Sequence, residues 1–248
     1  MIFNQPIISN ILKVKQRLYE KYSKLHHIEL FEEERVLILS PHPDDDVIGC
    51  TGAIKKHLDH KAEVKIIYIC SGDKGGSGKD LTTRRQKEAV DALKYLHVED
   101  TAFTFLNHED EAINIEKAVN QIQQIISSFN PEIVYLPSFI DNHIDHFATN
   151  KILAWLEGID TIRGYEIWTP TVPNRLIDIS DLVEVKKEAI GYHKSQLTEV
   201  DYISAILGLN QYRAALYTKK KMSFAEGYLE MSFTDYKSFI QSILDEEK

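Results

Sequence analysis

The stretch Val36-Leu37-Ile38-Leu39-Ser40-Pro41-His42-Pro43-Asp44-Asp45-Asp46 sets the frame for the whole chain. Its apolar run reads as a buried strand, and the tight turn that follows carries one imidazole and three carboxylates. A second polar cluster, Asp141-Asn142-His143-Ile144-Asp145-His146, follows another short apolar run, Ile133-Val134-Tyr135-Leu136. Two clusters at strand exits can meet at one edge of a parallel sheet, where open α/β folds place their sites.

Outward from the first stretch the pattern alternates. Strands are expected at 35–40, 63–70, 101–106 and 133–136, and helices at 47–60, 81–96, 113–129 and 146–157. The Asp run opens the first helix, where carboxylates suit the positive end of the dipole. Further strands are expected at 164–169, 176–179 and 226–233, with helices at 182–193, 199–218 and 234–247. The strand–helix order predicts an α/β fold: a Rossmann-like, doubly wound, mostly parallel sheet with helices on both faces and right-handed crossovers. There is no repeat, low-complexity segment or clear linker, so residues 1–248 read as one domain. Its parts are a helical extension over 1–33, a central region over 34–200 and a C-terminal segment over 201–248.

Composition narrows the function classes. Hydrophobic residues make up 43 % of the chain, enough for a sizeable core, and the formal net charge of −9 does not favour nucleic acid or an anionic membrane. The two cysteines, Cys50 and Cys70, are too few for a disulfide framework and read as buried residues in a reducing compartment. No run approaches the roughly 18 apolar residues of a membrane span. Residues 1–24 lack a signal-peptide pattern and read as an amphipathic helix packed on the domain. A cytoplasmic location is the expectation, and a homo-oligomer is left open.

Catalytic zinc takes three protein ligands and leaves a place for water. His42 and Asp45, three residues apart on a turn, can converge, and His146 can supply the third ligand from the other strand exit. Asp44 is placed for general base, and His143, as an imidazolium oriented by Asp145 or Asp141, for oxyanion stabiliser or acid. Alone, either cluster reads as helix capping or a solvated helix start. Together, both after apolar strands, they gather like charges that a cation must neutralise.

On these motifs the chain resembles the PIG-L/LmbE-like family of zinc-dependent N-acetylglucosaminyl deacetylases. Pro41-His42-Pro43-Asp44-Asp45-Asp46 stands for the family's Ala/Pro-His-Pro-Asp-Asp-Glu, and His143-Ile144-Asp145-His146 for its His-x-Asp-His. The resemblance implies His42, Asp45 and His146 as ligands of Zn2+ (or Fe2+ or another divalent ion), with Asp44, His143 and Asp145 catalytic. Gly72-Asp73-Lys74-Gly75-Gly76 and Arg85-Gln86-Lys87-Glu88 also look similar, which makes Arg85 a substrate-contact candidate. The segments 165–170 and 187–196 extend the likeness, and His193 becomes a pocket candidate. Asp46 departs from the family glutamate by one methylene. The implied activity is hydrolysis of the acetamide of an N-acetylated sugar conjugate.

Two other readings use part of the same residues. Asp44-Asp45-Asp46, with Ser71 after the next strand, approximates a Mg2+-dependent haloacid-dehalogenase-like phosphatase with Asp44 as nucleophile, but leaves the three histidines unused. A non-enzymatic sugar- or metal-binding module would need the pocket without the base. The loop 72–79 fails the P-loop spacing, because Asp73 stands at its first glycine and Asp80 at its hydroxyl position. No Gly-x-Gly-x-x-Gly follows the first strand, which disfavours a dinucleotide cofactor.

Overall fold

The computed structural model describes residues 20–22, 24–28, 31–76, 80–217 and 222–246. The expected helix over 1–24 therefore lies for the most part outside the described residues, as do Ser77, Gly78 and Lys79 of the glycine-rich loop. In chain order the first half comprises β1 (His26–His27), β2 (Arg35–Ser40), α1 (Asp45–Asp59), β3 (Glu63–Cys70), α2 (Leu81–Tyr95), β4 (Phe103–His108), α3 (Ile115–Phe129) and β5 (Ile133–Pro137). The second half comprises α4 (Ile144–Ala154), β6 (Thr161–Tyr165), β7 (Arg175–Asp178), α5 (Val183–Gly191), α6 (Lys194–Leu197), α7 (Tyr202–Tyr217), β8 (Ala225–Ser232) and α8 (Phe233–Glu246).

Alternation along the central strands divides the core into two layers. Val36 and Ile38 of β2, Ile66 and Tyr68 of β3, and Ile133 and Tyr135 of β5 pack on one face against α1, α2 and α5. Leu37, Leu39, Ile67, Ile69, Val134 and Leu136 pack on the other against α3, α4 and α8. Burial on both faces is why these strands read as unbroken apolar runs rather than alternating ones. Among the described residues no helix is long and apolar enough to cross a membrane.

The eight strands run in the order β1-β7-β8-β6-β5-β2-β3-β4. From β2 the chain builds outward through β3 and β4, then returns to the other side of β2 to lay down β5 and β6, all parallel. The winding direction thus reverses between β2 and β5, which makes their shared C-terminal end a topological switch point. Registers Val36↔Ile133 and Ile38↔Tyr135 bring the two polar clusters side by side. Strand β8 lies antiparallel between β6 and β7, giving the mixed edge of a mostly parallel sheet.

Three expected boundaries move for identifiable reasons. Strand β4 runs two residues later than expected, because Cys70↔His108 pairing continues past an irregularity at which Asn107 takes a positive φ of 57°. Strand β6 spans Thr161–Tyr165 rather than 164–169, and beyond it the amides of Trp168 and Thr169 bond to Asp141 instead of a neighbouring strand. The helix expected over 199–218 is α7, which begins three residues later at Tyr202 because Val200 and Gln196 close a turn ahead of it, and the short α6 precedes it.

Helix α1 lies close on β6. A Cβ on Gly49 would stand 2.3 Å from the ring of Tyr165, whose hydroxyl donates to Leu39 O at 2.9 Å. In an open helix Gly→Ala gains about 1 kcal/mol. Here overpacking reverses the sign: Gly49→Ala should lose about 1–3 kcal/mol of stability, read as a lower urea midpoint at unchanged m-value.

Candidate metal centre and active-site cavity

The turn after β2 is held by its own polar groups. Ser40 Oγ donates to His42 O at 2.7 Å and accepts from Asp46 N at 3.1 Å. Asp46, fully buried, accepts from Tyr68 Oη at 2.9 Å. Burial, with repulsion from Asp44 and Asp45, pushes its carboxyl up to about 7 against the pull of Tyr68. Asp46 is therefore committed to the turn and to β3, away from the cavity.

Asp45 Oδ2 is the hub. It lies 2.8 Å from His42 N, 3.1 Å from His42 Nδ1 and 3.3 Å from His146 Nε2. Edges of this length match the roughly 3.3 Å ligand-to-ligand spacing of a tetrahedral ion with bonds of about 2.0–2.1 Å. Neither ring nitrogen of His146 makes a hydrogen bond of good geometry, although carboxylate oxygens stand 3.3 and 3.1 Å away. A buried imidazole with neither nitrogen in a well-formed hydrogen bond has its lone pair available to a cation, while His42 Nδ1 and Asp45 Oδ2 hydrogen-bond each other at 3.1 Å. His42, Asp45 and His146 could together hold a divalent ion, as could the three imidazoles of His42, His143 and His146, whose ligand atoms lie within 4.8 Å of one another, and either donor set suits zinc without excluding iron.

The outer nitrogens of both histidines meet carboxylates. His42 Nε2 is 3.0 Å from Asp145 Oδ2, and His146 Nδ1 is 3.1 Å from Asp141 Oδ1. This is the outer carboxylate–histidine arrangement that orients metal-ligand rings. Burial works against charge on both rings, but Asp145 and Asp45 hold His42 up at about 10, and Asp45 and Asp141 hold His146 up at about 9. Burial likewise opposes ionisation of Asp45, and the two histidines overcome it and hold its carboxyl well below the usual range.

The expected support for His143 is corrected here. Asp145 and Asp141 serve the ligand histidines, and Asp145 also accepts from Glu111 N at 2.9 Å. His143 instead caps α4, its Nδ1 accepting from Asp145 N at 3.2 Å. Its ring centroid lies 4.8 Å from that of His42 and 4.7 Å from that of His146. Burial and those two neighbours push its pKa down, which disfavours the expected imidazolium.

A cavity of about 460 Å³ opens over these groups, with His42, Asp44, Asp45, His143 and Asp145 in its wall. Asp44 faces Arg85, whose Nη2 lies 3.3 and 3.2 Å from the two carboxylate oxygens. Arg85 also donates to Lys74 O at 2.8 Å, so the expected substrate contact is first a brace for Asp44. His193 is buried with both ring nitrogens unpartnered and is not among the described residues lining the cavity, in contrast to its expected place. The sequence reading left out Asp110, Glu111 and Tyr202 and held Trp168 and Gln196 only within the segments 165–170 and 187–196, and all five are in the wall. Asp110 follows β4 and accepts from Gly72 N at 2.8 Å and Lys74 N at 3.0 Å. The strand-exit rule would have found it had β4 been placed two residues later. His42, Cys70 and Asp110 form an alternative ligand grouping, but burial and the nearby carboxylates push the Cys70 thiol up, which makes it the poorer donor.

Fold and site together define an α/β protein with a divalent-metal-binding cluster at the sheet's switch point. Residues 37–155 match the PIG-L family model, described as GlcNAc-PI de-N-acetylase. The chain is 29 % identical over 197 residues to the diacetylchitobiose deacetylase of Thermococcus kodakarensis, covering 67 % of this chain and 71 % of that protein. It is 25 % identical over 190 residues to a probable N-acetyl-alpha-D-glucosaminyl L-malate deacetylase 2 of Bacillus subtilis, covering 66 % and 84 %. The fold is shared with N,N'-diacetylchitobiose deacetylase from Pyrococcus horikoshii, at a TM-score of 0.70 and 23 % identity over 95 % of this chain and 96 % of that one.

With His42 and His146 held near about 10 and 9, both carry protons in the metal-free protein at neutral pH. Metal uptake displaces those protons, so affinity should rise with pH until both rings are neutral, and fall in acid. Calorimetry in buffers of different ionisation enthalpy should show release of about two protons per ion; no release would mean that the two rings are already neutral in the metal-free protein. Asp141→Asn should weaken zinc binding about 10–100-fold in a chelator competition.

Proposed function

We propose that this protein is a metal-dependent N-deacetylase of the PIG-L family, organised as a single domain over residues 1–248, that removes the acetyl group from an N-acetylated amino sugar. The observation that carries the reading is the position of Asp44. It is adjacent in sequence to the hub ligand Asp45 yet faces the cavity, braced by Arg85. The matching family model and the curated relatives support the same reading.

Lewis acidity toward the amide carbonyl and acidification of a water are what a divalent ion supplies when bound by His42, Asp45 and His146. Asp44 accepts the water proton as the carbon–oxygen bond forms. It returns that proton to the amide nitrogen as the carbon–nitrogen bond breaks, and acetate and the free amine leave. Nδ1 of His143 accepts from the Asp145 amide, so the neutral ring carries its proton on Nε2. That N–H donates to the developing oxyanion. Asp145 acts one step back, fixing the His42 ring.

A phosphatase reading would need Asp44 and Asp46 on one cation, yet Asp46 is turned to Tyr68 and Ser40 and does not line the cavity. Asp44→Asn should cut acetate release about 10²–10⁴-fold while metal content is kept. Undiminished release would remove Asp44 as base, and a wild-type protein that binds sugar but never releases acetate would be a binding module. His143→Ala should cost about 10²–10³ in kcat.

A further inference from the structure

We infer that the cavity takes an N-acetylated sugar whose leaving part is uncharged, seated against an aromatic wall of Trp168 and Tyr202, and that it discriminates against conjugates bearing a carboxylate or phosphate. The inference rests on the deacetylase reading above and narrows its substrate.

Charge carries the first half of the argument. The described lining of the cavity holds six carboxylates and two side-chain cations, Lys74 and Arg85, so a divalent ion in the metal centre still leaves two negative charges uncompensated. Both cations are already engaged. Lys74 Nζ lies 3.2 Å from Glu111, and Arg85 holds Asp44 and the Lys74 carbonyl. Drawing Arg85 onto an anionic ligand would leave the buried Asp44 carboxylate unpaired, which is expensive. Glu199, exposed in the cavity wall beside Tyr202, has no cationic partner among the described residues. An anionic substituent therefore meets like charge and no available counter-charge among the described residues.

Shape and position carry the second half. Trp168 is 45 % exposed, a large apolar surface left uncovered in the wall of a site. Its ring centroid lies 5.7 Å from that of Tyr202, and the two planes are inclined at 73°. Such a corner offers one flat face for stacking and one edge bearing a hydroxyl, which suits the C–H face and rim hydroxyls of a pyranose. The corner is also tied to the chemistry. Asp141 Oδ2 accepts from Trp168 N at 3.0 Å, while Oδ1 of the same carboxylate stands 3.1 Å from Nδ1 of His146. One side chain thus sets both a metal-ligand ring and the aromatic wall, so a sugar resting on Trp168 is placed relative to the reacting amide.

The test compares the zinc-loaded chain acting on N,N'-diacetylchitobiose and on an N-acetylglucosaminyl malate of similar size. Acetate release gives kcat and KM, and calorimetry gives binding of the two deacetylated sugars. The neutral sugar should be preferred by about tenfold or more in kcat/KM. Trp168→Ala should raise its KM and weaken binding of its deacetylated form by about tenfold, with the smaller change in kcat. Glu199→Gln should narrow the preference. Equal or better turnover of the malate conjugate, or a Trp168→Ala protein with unchanged KM and binding, would overturn the inference. If neither substrate releases acetate but the neutral sugar still binds through Trp168, the deacetylase reading falls and the aromatic wall stands. If neither acetate release nor sugar binding occurs, the wall itself is wrong.

Discussion

The carboxylate of Asp45 is the point on which the rest of the structure turns. Buried at the end of the central strand, within reach of two imidazoles, it is stable as an anion only because positive charge stands against it. Around it lie Asp44, Asp141 and Asp145, each with its own fixed donor: a guanidinium, backbone amides, or the outer nitrogen of a ligand histidine. Each carboxylate thus has a separate partner, and the donors that converge between them, from His42, Asp45, His143 and His146, could hold a divalent ion. The histidine protons and such an ion answer the same electrostatic demand, and each takes the other's place.

The scaffold meets that demand through topology and dipoles. The reversal of winding between β2 and β5 opens a crevice at their C-terminal ends, and α1 and α4 both begin there. Two helix N-termini aimed at one crevice favour anionic side chains in their first turns, and Asp45 and Asp145 occupy those turns. The close seat of Gly49 on Tyr165 keeps α1 near β6, and the Tyr165 hydroxyl returns to the carbonyl of Leu39 just before the turn. Core packing on both faces of the sheet leaves the site little freedom to open or slide.

Specificity has a different origin from the metal centre. The metal centre comes from two short segments directly after β2 and β5. The cavity wall comes from the loops after β3, β4 and β6 and the connection into α7. These loops are tied back to the centre through shared groups: Asp110 holds the amides of Gly72 and Lys74, and Asp141 holds Trp168. A loop-built wall on a fixed centre lets ligand preference change without disturbing the donors at the centre.

The sequence by itself determined the doubly wound architecture and the two polar clusters that the fold brings together after β2 and β5. Both are encoded locally, by apolar runs long enough to be buried strands and by acids and histidines placed immediately after them. The tertiary structure alone decided the roles that depend on contacts between distant segments. Arg85 reaches across 41 positions to brace Asp44, Asp145 across 103 to orient His42, and His143 takes its tautomer from a backbone amide, not a carboxylate. No local pattern carries these pairings, because hydrogen-bond partners are set by which strand exits the fold brings together. The same reason hid Asp110 and Trp168, whose places in the wall depend on where β4 and β6 end, and those ends are fixed by pairing with neighbouring strands rather than by their own residues.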